Sequence, residues 1–119
     1  MRIYVAGPIF GKPDRNEKAF REMADKVQYQ LRATALVPHD IAPWEHPNQP
    51  CPAGRRSEGA THNEACYLRS DIANMLTCDG IALLDDWQTS LGGRTELTVA
   101  NATQMSVYVA WNDLLRKIS

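Results

Sequence analysis

The sequence has little of what marks a membrane, secreted or nucleic-acid-binding protein. No stretch approaches the roughly 20 consecutive apolar residues that span a bilayer, and its first residues, MRIYVAGPIF, read as a strand rather than as a cleavable signal. The 13 basic and 14 acidic residues leave a net charge of −1, so no overall positive field attracts a nucleic acid polymer or an anionic membrane. We therefore expect a cytoplasmic protein whose partner is a small molecule.

Cysteine is also scarce, and its spacing predicts neither disulfides nor a metal site. Cys51, Cys66 and Cys78 are an odd number without a framework pattern, which is typical of free thiols in a reducing compartment. With His46 and His62 nearby, Cys51 and Cys66 are of the ligand types that bind zinc, but no close pair such as C-x-x-C is present. The sequence therefore predicts no metal and no other cofactor.

Glycine-rich phosphate motifs are absent as well. The turn that holds Ser90, Gly92 and Gly93 lacks the length and the lysine of a P-loop, and no GxGxxG fingerprint of a dinucleotide site occurs anywhere. Backbone amides of such a short turn can still face an anion or a sugar.

What is present is an alternation of helical and strand patterns. Apolar residues recur at helical spacing over Phe20–Leu31 and again after Asn63. Four short apolar segments predict strands: RIYVAG, TALV, GIALLD and SVYVAW. A third helix is expected after the glycine turn, and the last residues, NDLLRKIS, are expected to form a helical turn or two. This order predicts a single α/β domain over residues 1–119, with a flavodoxin-like or Rossmann-like parallel sheet of about four to five strands flanked by helices.

One segment, residues 41–62, shows no periodicity and is rich in proline. Loops of this length inside a small domain are uncommon and are usually functional or mobile. Two interpretations stay open: its Trp44, His46, Arg55 and Arg56 close over a ligand, or the segment is a disordered surface insertion.

Polar residues gather where ligands bind in parallel sheets, beyond the carboxyl ends of the strands. Glu96 falls at the predicted start of the third helix, where the helix dipole would keep it ionised. Tyr4 on the first strand and Asp71 on the second helix can converge on it. A tyrosine beside one carboxylate, with a second carboxylate opposite, suits cleavage of a bond to an anomeric carbon. The alternative is that Glu96 only complements the helix dipole and Asp71 is a solvated charge.

The ordered set of segments IYVAGPI, NEKAF, YLRSD and CDGIALLDDWQTSLGGRTELTVA resembles the nucleoside 2-deoxyribosyltransferase-like superfamily. This superfamily includes the deoxyribosyltransferases, the 2′-deoxynucleoside 5′-phosphate N-hydrolases and small bacterial and phage relatives. The resemblance spans most of the chain except residues 43–62.

The resemblance implies roles for particular residues. Glu96 matches the nucleophile, Tyr4 the residue that orients it, and Asp71 the aspartate that protonates or holds the base and sugar. Ser90 stands where the nucleotide hydrolases have a serine that receives a 5′-phosphate, whereas the transferases have an aspartate there. The substrate-binding positions expected from the matching turns are Gly7, Pro8, Ile9, Phe10, Asp85, Trp87, Ser90, Gly92 and Gly93.

The expected function is therefore hydrolysis of the N-glycosidic bond of a (deoxy)nucleoside 5′-monophosphate. The alternatives are a nucleoside deoxyribosyltransferase and a nucleotide-binding module without chemistry. Relatives commonly form dimers or larger assemblies, so a homo-oligomer is expected. The chain departs from the hydrolases at Pro8 and Phe10, where they carry serine and arginine, so phosphate affinity would come from other cations: Lys12, Arg55, Arg56 or Arg94.

Overall fold

Five strands form one sheet in the computed structural model, which describes all residues 1–119. They are β1 (Arg2–Ala6), β2 (Thr34–Leu36), β3 (Gly80–Leu83), β4 (Ser106–Trp111) and β5 (Leu114–Lys117). Their spatial order is β2-β1-β3-β4-β5. The first four are parallel to their neighbours, and β5 runs antiparallel to β4. The predicted α/β fold with a mostly parallel sheet is confirmed.

Three helices cover the two faces of this sheet: α1 (Glu17–Leu31), α2 (Glu64–Met75) and α3 (Leu91–Ala102). Side chains alternate along a strand, so β1 contributes Ile3 and Val5 to the core on the α1 side. Tyr4 and Ala6 point to the opposite face, into the core shared with α2 and α3. No helix combines the length and apolar character needed to cross a bilayer.

The end of the chain differs from its prediction, because residues 114–117 form β5 rather than a helical turn. Trp111 and Leu114 pair across a hairpin, and the two residues between them, Asn112 and Asp113, have φ of 50° and 61°. Two-residue hairpin turns of type I′ need positive φ at both positions, which Asn and Asp tolerate better than other non-glycine residues. The Asn-Asp pair between two apolar segments was the signal for this hairpin.

The sheet order places a crevice at the carboxyl ends of β1 and β3. The chain leaves β1 towards β2 on one side, whereas β3 is followed by β4 on the other, and ligands of open α/β sheets bind at such a switch point. Gly7 directly follows β1, and a Cβ there would lie 2.6 Å from the Leu84 side chain. Glycine therefore lets the end of β1 pack closely against the end of β3.

The proline-rich loop, residues 41–62, folds back against the start of α2. The backbone N–H of Trp44 donates to the carbonyl of Cys66 at 3.0 Å, and the N–H of Glu64 donates to the carbonyl of Arg55 at 2.6 Å. This arrangement also brings together four side chains of the types that can bind a metal, His46, Cys51, His62 and Cys66, although their spacing in the sequence predicted no metal site.

Candidate active site

A cleft lined by 15 residues opens at the switch point between β1 and β3. Apolar and aromatic walls with a few convergent polar groups are typical of a small-molecule site. Eight of the twelve residues predicted from the sequence line it: Tyr4, Gly7, Ile9, Phe10, Asp71, Ser90, Gly92 and Glu96. The long loop contributes Ser57 and Ala60 to its wall, so the loop does border the site.

Tyr4 and Glu96 form a buried pair at the base of the cleft. The phenol O–H donates to Glu96 Oε2 at 2.5 Å. Tyr4 is fully buried and Glu96 is 4% exposed. Burial and the neighbouring Glu96 carboxylate raise the pKa of Tyr4 well above its usual value, so the phenol keeps its proton and remains the donor.

Asp71 is the second carboxyl group of the cleft. It lies on α2 and is 6% exposed, and its Oδ1 is buried without a hydrogen-bond partner. Burial raises the pKa of Asp71 from 3.8 to about 7, although the Arg15 cation acts in the opposite direction. A carboxyl group with a pKa near neutrality can act as a general acid or base at physiological pH.

Glu96 lies deeper in its helix than the sequence suggested. Helix α3 begins at Leu91, so Glu96 is in the second turn rather than the first. Burial, and then the nearby Asp71, raise the pKa of Glu96 to about 8, against the opposing effect of the Tyr4 hydrogen bond. The prediction that the helix dipole keeps Glu96 charged is therefore wrong, because desolvation of the carboxylate outweighs it. Burial is thus the main cause of the raised pKa of both carboxyl groups.

The raised pKa values of Glu96 and Asp71 predict that the protein becomes less stable as the pH rises. Both folded-state pKa values, about 8 for Glu96 and about 7 for Asp71, lie above the ordinary values of 4.5 and 3.8. Between these limits the unfolded chain binds fewer protons than the folded protein, so the free energy of unfolding falls as the pH rises. In Glu96→Gln this fall should be smaller, and the variant should be more stable than the wild type at about pH 8.

Urea unfolding at about pH 4 and about pH 8 measures this effect. The matched control is Glu22→Gln on α1, because Glu22 is exposed and makes only a 3.9 Å ion pair with Lys18. If Glu96→Gln lowers stability equally at both pH values, the carboxyl group of Glu96 is not held protonated by burial.

Arg15 is a charged residue of the cleft that the sequence did not single out. It lines the cleft, its guanidinium lies 5.2 Å from the centre of the Tyr67 ring, and its Nε is buried without a hydrogen-bond partner. Asp14, Arg15 and Asn16, just ahead of α1, all have left-handed φ, of 49°, 56° and 59°.

Such a left-handed turn costs roughly 1–2 kcal/mol per residue and persists only where its surroundings hold it. The Asn16 amide donates to the carbonyl of Pro8 at 3.0 Å, and His39 Nε2 donates to the carbonyl of Arg15 at 2.8 Å. The His39 ring packs edge-on against Phe20, 4.8 Å between centroids. His39 therefore supports the turn that carries Arg15 into the cleft.

Ser90 combines a structural role with a place in the cleft. Its Oγ accepts the N–H of Gly93 at 3.0 Å and so caps α3. An oxygen that accepts this bond still has its own O–H to donate to a ligand. Gly92 lines the cleft one residue further.

Four predicted substrate residues lie elsewhere. Asp85 is exposed and lines a separate surface groove beside α1, and Trp87 packs against the core between the sheet and α3. Pro8 is buried behind the cleft wall. Gly93 approaches the carbonyl of Trp87 so closely that a Cβ would lie 2.9 Å from it. These residues shape the turns around the site without lining it.

None of the four expected cations lines the cleft. Lys12 pairs with Asp86 at 3.0 Å, and Arg94 donates to the carbonyl of Gln88 on the surface at 2.8 Å. The others are Arg55, which lies 4.0 Å over the Phe10 ring while pairing with Glu64, and Arg56, which donates to Asn63.

The fold and the site define a small α/β domain with a cleft that holds two buried carboxyl groups, a buried tyrosine and an arginine. The chain belongs to the family described as domain of unknown function DUF4406, whose model matches residues 1–109. No curated protein matches it significantly. It is similar in structure to a conserved protein from Enterococcus faecalis V583, with a TM-score of 0.59 and 22% identity over 93% of this chain. This chain covers 63% of the length of that protein, and the likeness concerns the fold.

Proposed function

We propose that the protein hydrolyses the N-glycosidic bond of a (deoxy)nucleoside 5′-monophosphate, releasing the free base and (deoxy)ribose 5-phosphate. The observation that carries the proposal is the buried Tyr4–Glu96 hydrogen bond with Asp71 in the same cleft. Two carboxyl groups of different environment are what glycoside cleavage through a covalent intermediate requires. The resemblance of the surrounding segments to the deoxyribosyltransferase-like superfamily supports the same chemistry.

In the first step the Glu96 carboxylate attacks C1′ of the sugar, and the bond from C1′ to the base nitrogen breaks. Asp71 gives its proton to the departing base, and the hydrogen bond from Tyr4 fixes the attacking carboxylate. In the second step water attacks C1′ of the glycosyl ester, its proton passes to Asp71, and the sugar phosphate leaves with Glu96 free again. This cycle needs no metal or organic cofactor at the reacting atoms.

The charges of the cleft explain why a phosphorylated substrate suits this chemistry. Without a ligand, the Arg15 cation favours an ionised Asp71. When the substrate phosphate binds Arg15, that advantage of Asp71 is neutralised, while Glu96 keeps the hydrogen bond from Tyr4 that favours its ionised form. The nucleophile is then ionised and the acid protonated, as the first step requires.

The remaining walls are suited to a base and a sugar. Ile9, Phe10, Tyr67 and Leu68 give the cleft apolar and aromatic surface, and flat bases pack well on such side chains. Ser57 and Ser90 add hydroxyl groups that can bind phosphate or ribose oxygens. Three free cysteines and a nucleotide substrate both accord with a cytoplasmic protein.

The direct test is chromatography of free bases after incubation with nucleoside monophosphates and with the matching unphosphorylated nucleosides. Base release from the monophosphates, independent of an added acceptor base, is the expected result. Release that requires an acceptor base would favour the transferase. A nucleotide that raises the melting temperature but is recovered intact would overturn the catalytic proposal in favour of a binding module.

Arg15→Gln should remove most of the preference for phosphorylated substrates. Because a charge-assisted contact to phosphate contributes about 1.5–3 kcal/mol, kcat/KM for the monophosphate should fall roughly 10- to 100-fold, while that for the nucleoside changes little. Arg94→Gln is the matched control, because Arg94 lies on the surface of α3 and donates to the carbonyl of Gln88. If Arg94→Gln produces the larger loss, the phosphate lies outside the cleft.

A further inference from the structure

Four side chains between the long loop and α2 converge on one point outside the cleft. The ligand atoms of His46, Cys51, His62 and Cys66 all lie within 4.8 Å of one another. His46 Nε2 is 3.0 Å from His62 Nδ1 and 3.2 Å from Cys66 Sγ, and Cys51 Sγ is 3.7 Å from each of the two nitrogens. Cys66 is fully buried, and Cys51 and His62 are partly buried.

Hydrogen bonds alone do not account for this arrangement. His46 Nδ1 lies 2.9 Å from the carbonyl oxygen of Gln49, and a carbonyl can only accept, so Nδ1 carries the proton of the neutral ring. Nε2 then presents a single lone pair, yet it faces His62 Nδ1 and both sulfurs. One lone pair cannot serve three neighbours, whereas one cation at the centre of the four atoms serves all of them.

The distances fit a tetrahedral zinc ion. With Zn–N near 2.0–2.1 Å and Zn–S near 2.3 Å, ligand atoms of a tetrahedron are separated by about 3.3 Å for two nitrogens and about 3.6 Å for nitrogen and sulfur. Four of the six separations, 3.0 Å between the nitrogens and 3.2 to 3.7 Å between nitrogen and sulfur, lie close to these values, and all six are within 4.8 Å. Two thiolates and two neutral imidazoles also balance the charge of Zn²⁺.

The groups around the cluster resemble those that orient metal ligands. A ligating histidine usually donates its other N–H to a carbonyl, as His46 does to Gln49. Arg56 Nη2 lies 3.7 Å from Cys51 Sγ, and its Nε donates to Asn63 Oδ1 at 3.0 Å. The Asn63 amide in turn donates to the carbonyl of Pro52 at 2.7 Å. These bonds tie the loop around the four ligands.

We propose that His46, Cys51, His62 and Cys66 bind one structural Zn²⁺ per chain. Four protein ligands complete the tetrahedron and leave no open position, so the ion holds structure and does not react. Its bond to Cys66 clamps the loop onto the first turn of α2, the helix that carries Tyr67 and Asp71. Ser57 lines the cleft and lies between the ligands Cys51 and His62 in the sequence. The ion therefore also fixes one wall of that cleft.

The test measures zinc in protein purified without added metal and reconstituted with Zn²⁺ under reducing conditions. One zinc per chain is expected. Co²⁺ substitution should give the ligand-field and thiolate charge-transfer bands of a tetrahedral site with sulfur ligands. Cys66→Ala and His62→Ala should each weaken zinc binding at least 10-fold in competition with a chromogenic chelator, whereas Cys78→Ala, which alters the cysteine that lies outside the cluster, should bind as the wild type does.

Limited trypsin digestion provides a readout that does not depend on how well the variants fold. A chelator should expose wild-type protein to cleavage after Arg55 and Arg56, between the ligand pairs, and Zn²⁺ should restore protection. Absence of zinc from reconstituted wild type, cobalt spectra without thiolate bands, or unchanged affinity in folded Cys66→Ala would each overturn the proposal. A Cys51–Cys66 disulfide that persists in the presence of Zn²⁺ and reductant would overturn it too.

Discussion

Glu96→Gln is expected to abolish base release from nucleoside monophosphates, with a loss in kcat of at least about 10³-fold. The amide has nearly the shape of the carboxylate and can still accept the 2.5 Å hydrogen bond from Tyr4, but it cannot form the glycosyl ester. The variant should therefore fold and bind nucleotide while losing the chemical step. Single-turnover assays with nucleotide binding measured in parallel separate the two effects.

Two further variants make this result specific. Glu22→Gln, on the exposed face of α1, should retain wild-type activity. Tyr4→Phe keeps the carboxyl group but removes its donor, so a smaller loss and a rate profile shifted to higher pH are expected, since the hydrogen bond favours ionised Glu96. Full activity in Glu96→Gln would exclude Glu96 as the nucleophile.

Asp71→Asn is expected to slow base release by about 10²–10⁴-fold, the usual contribution of a general acid. The pKa of Asp71, about 7 in the folded protein, should also set a limb of the pH profile of kcat/KM, which falls as the acid loses its proton at higher pH. That limb should disappear in the variant, because asparagine does not titrate.

A substrate that needs no acid distinguishes Asp71 from Glu96. Nitrophenolate leaves C1′ of a sugar 5-phosphate without protonation, so in a single turnover Asp71→Asn should release it at a rate close to that of the wild type. Glu96→Gln should remain inactive on it. If both variants lose activity equally on this substrate, Asp71 positions the substrate or the nucleophile and does not transfer the proton.

Local chemistry was sufficient to predict most of the architecture. The helical spacing of apolar residues predicted α1, and its Phe20, Met23 and Val27 are buried. The unbroken apolar character of GIAL predicted a strand covered on both faces, and all residues of β3 are buried. The hairpin at Asn112 was missed, because a short polar turn between apolar segments was read as the start of a helix.

The candidate site, like the architecture, was predictable only in part. That Tyr4, Asp71 and Glu96 approach each other follows from where their segments end on a parallel sheet, and the cleft does contain all three. That their carboxyl groups titrate near neutral pH depends on burial by residues remote in the chain, which no local pattern encodes.

The cluster of His46, Cys51, His62 and Cys66 shows why some features escape a reading of the sequence. The chain holds the pairs H-x4-C and H-x3-C, but neither is a close pair such as C-x-x-C that is typical of structural zinc, and the separation of the two pairs matches no common framework. Only the folding of the loop onto α2 places the four ligand atoms within 4.8 Å of one another.

By itself, then, the sequence determined the alternation of strands and helices, the parallel sheet and the three residues at the centre of the cleft, because periodicity and strand ends are local properties. The tertiary structure alone decided the environment of those residues. It placed the Arg15 cation in the cleft through a left-handed turn, packed Trp87 against the core and joined the loop to α2. Desolvation, charge coupling and convergence of ligands arise from contacts between distant segments, and those exist only in the folded chain.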